Sequence, residues 1–78
     1  MRNLEKFLNE NKIGYVLQLD SNLDDSGIRF EIEGVRYSIL KEEKGYALNI
    51  VKDGERAITT HWKTQGEVIK LLQNRLGL

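Results

Sequence analysis

The alternation of apolar and polar residues changes period twice along this chain, and the changes divide it into helix, sheet and helix. Leu4, Phe7 and Leu8 recur at the spacing of one helical face, with Asn3 placed to cap and Glu5 in the first turn, which predicts a short amphipathic helix over residues 3–11. The period then drops to two. Ile13, Tyr15, Leu17 and Leu19 alternate with Gly14, Val16, Gln18 and Asp20. After the turn-rich stretch SNLDDSG, Ile28, Phe30 and Ile32 alternate with Arg29, Glu31 and Glu33. Both segments read as half-buried strands.

Side-chain pairing predicts the registers. A two-residue Glu33-Gly34 turn sets Ile32 opposite Val35, Glu31 opposite Arg36, Phe30 opposite Tyr37 and Ile28 opposite Ile39, so that apolar meets apolar and acid meets base. The segment KEEKG is the next turn, leading into a strand over residues 46–51. For the VKDGER hairpin, a two-residue Asp53-Gly54 turn would place Tyr46 opposite His61 and send Trp62 to the other face. A three-residue Lys52-Asp53-Gly54 loop puts Tyr46, Leu48 and Ile50 on the same face as Ile58, Thr60 and Trp62. Burial of the larger apolar set favours the second arrangement, with Trp62 largely buried and His61 pointing away.

Thr64-Gln65-Gly66-Glu67 is a capping box ahead of Val68, Ile69, Leu71, Leu72 and Leu76, and it predicts a helix from about 65 to 76 that stops at Gly77. The expected fold is therefore α+β: one domain over residues 1–78, in two layers. An antiparallel meander of about five strands carries an N-terminal and a C-terminal helix on one face, and the other face is open.

Composition narrows the function classes. A 78-residue chain, 40% apolar and 31% charged, is globular in composition but removes only about 60–65% of its unfolded surface from water, which disfavours large enclosed pockets. With no cysteine there is no disulfide framework and no thiolate nucleophile. No apolar run approaches the roughly 20 residues that cross a bilayer, and the first dozen residues mix charge with apolar positions. The expectation is a cytoplasmic protein without membrane attachment. Twelve basic residues balance twelve acidic ones, so there is no bulk attraction to nucleic acid. The charge is unevenly spread: Asp20, Asp24, Asp25, Glu31 and Glu33 face Arg29 alone in one stretch, and the basic residues are richer in the C-terminal half.

Little in the chain points to chemistry. His61, the only histidine, has no acid near it in sequence to orient it, so it reads as a surface residue and not as a catalytic base. The turn Asp20-Ser21-Asn22-Leu23-Asp24, with Glu31 eleven residues after Asp20, has some of the spacing of a calcium loop. Asp25 stands where that loop needs glycine, and strands flank it, so no metal and no cofactor are expected and calcium should not stabilise the protein.

The open face is more informative. Strand alternation assigns to it Val16, Gln18, Arg29, Glu31, Arg36, Ser38, Leu40, Ala47, Asn49, Val51, Thr59 and His61, with Leu40, Ala47 and Val51 forming a small apolar centre inside a polar rim. The expected function is non-enzymatic: a small regulatory or accessory module, of the kind phages and other mobile elements encode. It docks to another protein through the open sheet face or an edge strand, with Arg36, Leu40, Asn49, Val51, Thr59 and His61 as the contact residues. Pairing of two copies through an edge strand is a further option. The alternative is weak nucleic-acid binding by Lys52, Arg56, Lys63, Lys70 and Arg75.

Overall fold

Two helices, α1 (Arg2–Glu10) and α2 (Gln65–Leu76), bracket five strands: β1 (Val16–Gln18), β2 (Gly27–Ile32), β3 (Val35–Glu42), β4 (Gly45–Lys52) and β5 (Ile58–Trp62). These elements come from a computed structural model that describes residues 1–18 and 27–78. The strands lie in chain order and each is antiparallel to the next, the α+β meander that the periodicity predicts. The acidic turn, with the calcium-loop expectation attached to it, lies outside the described residues.

One face of the sheet is the core. Ile28 and Phe30 from β2, Tyr37 and Ile39 from β3, and Leu48 and Ile50 from β4 are buried beneath Leu4, Phe7 and Leu8 of α1 and Val68 and Leu72 of α2. Each such side chain contributes about 1.5–3 kcal/mol when fully removed from water. Phe30 and Tyr37, opposite each other across β2 and β3, stack with ring centroids 4.9 Å apart.

The β2–β3 register is the expected one: Ile32 faces Val35, Glu31 faces Arg36, Phe30 faces Tyr37 and Ile28 faces Ile39. Glu33 and Gly34 take φ of 52° and 80°, as the two central residues of a primed hairpin turn require. Arg36 does not pair with Glu31, however, and its Nη2 reaches Asp53 Oδ1 at 3.3 Å. Across β4 and β5, Tyr46 faces Trp62, Leu48 faces Thr60 and Ile50 faces Ile58, so Trp62 lies on the core side and His61 on the open side. The connection is longer than the expected three residues. It runs over residues 53–57, with Gly54 at φ 82° inside a turn closed by the Glu55 amide donating to the Lys52 carbonyl.

Three local expectations change. Asn3 is not the cap of α1: the helix starts one residue earlier, Met1 occupies the cap position without a side-chain bond, and the orphan amide of Leu4 donates to Gln65 Oε1 of α2 at 3.0 Å. A side chain 61 residues away thus does the work of a local cap. β1 is a strand of three exposed residues and is not half-buried, with Val16 59% and Leu17 48% exposed. The preceding Tyr15 is held by α1 instead, donating to Glu5 Oε1 at 3.2 Å. Trp62 is half-buried at the margin of the core, and its indole Nε1–H donates to Thr60 Oγ1 at 2.8 Å. The capping box of α2 is as expected. Thr64 Oγ1 accepts from the Glu67 amide, Glu67 Oε1 accepts from the Thr64 amide, and Gly77 closes the helix in the left-handed conformation.

Candidate interaction surface on the open sheet face

The registers arrange the face opposite the helices in rows that run across the strands. One row is Val16, Arg29, Ser38, Asn49 and Thr59, and the next is Gln18, Gly27, Leu40, Ala47 and His61. On one side of these two lie Glu31, Arg36 and Val51. On the other, Glu42 stands opposite Gly45.

Leu40 is the most exposed large apolar residue of the three inner strands. It sits on β3, the middle strand, and is 45% exposed. Its row explains why. The neighbour on β2 is Gly27, where an added Cβ would come within 2.7 Å of Leu40 Cδ2, and the neighbour on β4 is Ala47. Leu40 therefore lies over a glycine and beside a methyl group, and it projects from the sheet. Val51 does not join it: it is opposite Arg36, and the Ser38–Asn49 pair stands between the two rows. The expected single apolar centre of Leu40, Ala47 and Val51 is thus two separate spots divided by polar side chains, because the three residues differ in register.

The polar residues around Leu40 are tied to one another. Thr59 Oγ1 donates to Asn49 Oδ1 at 3.1 Å. His61 Nδ1 lies 2.7 Å from Glu42 Oε1, a contact that sequence distance conceals. Two registers combine to make it: the tight β3–β4 turn places Glu42 opposite Gly45, and β5 runs past the other side of β4. Gly45 has no side chain to block the path, so the carboxylate reaches across β4 to the imidazole. Glycine is required there for a second reason, since a Cβ would overlap the Trp62 carbonyl oxygen.

With the Glu42 carboxylate accepting, Nδ1–H is the donor of this bond, and the Nε2 edge of the ring is turned away from it. His61 is on a shallow depression that Glu43, Lys44 and Lys63 also line. The nearest β5 hydroxyl on its face of the sheet, that of Thr59, is bonded to Asn49. The dyad holds the imidazole in one orientation at the end of the Leu40 row.

The basic residues of the C-terminal half do not form one patch. Lys70 and Arg75 line a groove between α2 and β5, and Lys52 and Arg75 line a second cleft. Arg56 and Lys63 flank β5 at opposite ends. Among the described residues no three His, Cys, Asp or Glu side chains converge, and no helix is long and apolar enough to cross a membrane. No protein-family model, no curated protein and no solved structure matches this chain.

Proposed function

We propose that this domain is a non-enzymatic docking module, a small regulatory or accessory protein that binds another protein through the open face of its sheet. The observation that carries the reading is Leu40, an exposed leucine on the middle strand with glycine and alanine as its row neighbours. A partner with a shallow apolar socket gains the desolvation of Leu40 and Ala47. Asn49, Thr59 and the oriented His61 supply hydrogen bonds at the rim, in the apolar-centre, polar-rim arrangement of transient interfaces. Val51 and Arg36 form a second, peripheral contact.

The test is capture of partners from the host with tagged wild-type protein and with Leu40→Asp and Lys63→Glu variants, each checked for an intact fold and each run with and without nuclease. Docking through the open face requires a nuclease-resistant partner that Lys63→Glu retains and Leu40→Asp loses. Loss on digestion, together with loss in Lys63→Glu and retention in Leu40→Asp, would favour nucleic acid at Lys52, Arg56, Lys63, Lys70 and Arg75.

A further inference from the structure

The core side of the sheet is not fully covered. Between α2 and the edge strand β5 runs an open groove of about 600 Å³ with a floor of Ile50, Ile58, Trp62 and Leu71. Ile58 is 54% exposed although it lies on the core side. The floor offers no free donor from Trp62, whose indole N–H is bonded to Thr60. Beside it, among the described residues β5 pairs only with β4, so its outer edge carries backbone groups that no described strand pairs. An extended segment added to that edge gains main-chain hydrogen bonds and inserts every second side chain into the groove.

The charges around the groove select the occupant. Lys70 and Arg75 stand on its α2 wall, and Arg56 and Lys63 flank the two ends of β5. The carboxylate in the wall, Glu67, is already engaged: its Oε1 accepts from the Lys63 and Thr64 amides in the helix cap. Among the described residues, none of these four cations makes a salt bridge. Edge cations oppose pairing of β5 with a second copy, because two such edges would bring like charges together. They favour a partner of opposite sign.

We propose that the α2–β5 groove binds an extended peptide segment, an apolar run flanked by acidic residues, which adds to the edge of β5 as a sixth strand. The floor is aliphatic apart from the half-buried Trp62, and the free strand edge offers hydrogen bonds that only a peptide backbone can use in ladder register, which favours a peptide over a nucleic acid. This site is distinct from the open face, and each can fail without the other.

Trp62 is the only tryptophan and lies in the groove, so its emission reports binding directly. The probe is a short acetylated, amidated peptide with a run of valines between pairs of glutamates. It should bind saturably and shift the Trp62 emission. The double variant Lys70→Glu, Arg75→Glu, both exposed positions, should bind it at least tenfold more weakly and should bind the lysine-for-glutamate version of the peptide better than the wild type does. N-methylation of alternate peptide nitrogens should weaken binding at least tenfold in one of the two registers, and Leu40→Asp should leave affinity unchanged. The proposal is overturned if the lysine peptide binds the wild type as well as the glutamate peptide, or if both N-methylated peptides bind normally. It is also overturned if laurate or an oligothymidylate binds with the same dependence on Lys70 and Arg75 while the peptide does not.

Discussion

Glu33 takes φ of 52° at the first central position of the β2–β3 turn, in the left-handed region where asparagine and glycine are at ease and a longer side chain is not. Glu33→Asn should therefore stabilise the domain by about 0.5–1 kcal/mol, read as a higher urea midpoint at unchanged slope. A lower midpoint would mean that the glutamate makes a contribution the turn geometry does not reveal. The neighbours His61 and Trp62 should respond very differently to truncation. His61→Ala removes an exposed side chain whose bond to Glu42 is worth no more than about 1 kcal/mol. Trp62→Ala strips the margin of the core and should cost about 2–3 kcal/mol, less than the 3–5 typical of a fully buried aromatic because Trp62 is half-buried. Equal costs for the two would contradict the β4–β5 register.

At the scale of elements, much was legible in the sequence wherever pattern and turn chemistry agreed. The β2–β3 hairpin followed from four complementary pairs, and α2 followed from its capping box, for which Thr64→Ala should cost about 1 kcal/mol by leaving the Glu67 amide without its acceptor. Guanidine or thermal melts would detect that loss. What was not legible depended on long-range partners. Asn3 resembles a cap, but the amide of Leu4 is served by Gln65 from the far end of the chain. Leu17 has the alternation of a buried position, yet β1 is a short edge strand where no helix shelters it. Alternation reports which way a side chain points and not what lies above it.

For the whole molecule, the candidate surface was legible as a list of residues but not as a map. Membership of the open face follows from parity, and every residue assigned to it by parity lies on it. Adjacency needs the registers of all four strand pairs together. That is why Leu40 and Val51 separate, and why Glu42 reaches His61 although the two are 19 positions apart in the sequence. The α2–β5 groove was invisible to periodicity, since Ile58 carries the alternation of a core residue and is exposed only because α2 stops short of covering it.

The bond from the Leu4 amide to Gln65 Oε1 also has a consequence for time. Every strand pairs with its sequence neighbour, so the sheet can form through short loop closures, whereas joining α1 to α2 requires the two ends of the chain to meet across 61 residues. Closing so long a loop is expected to follow formation of the sheet, and a contact made after the barrier is felt only in the unfolding rate. In stopped-flow urea jumps, Gln65→Ala should speed unfolding several-fold and leave the folding rate in water nearly unchanged. A slower folding limb would instead place within the nucleus the meeting of the helices or the bond that Gln65 Nε2 donates to the Tyr46 hydroxyl of β4 at 3.1 Å, and Tyr46→Phe would tell the two apart. If the first outcome holds, the lifetime of the native state, and not the speed of reaching it, is governed by one glutamine that joins the first helix to the last.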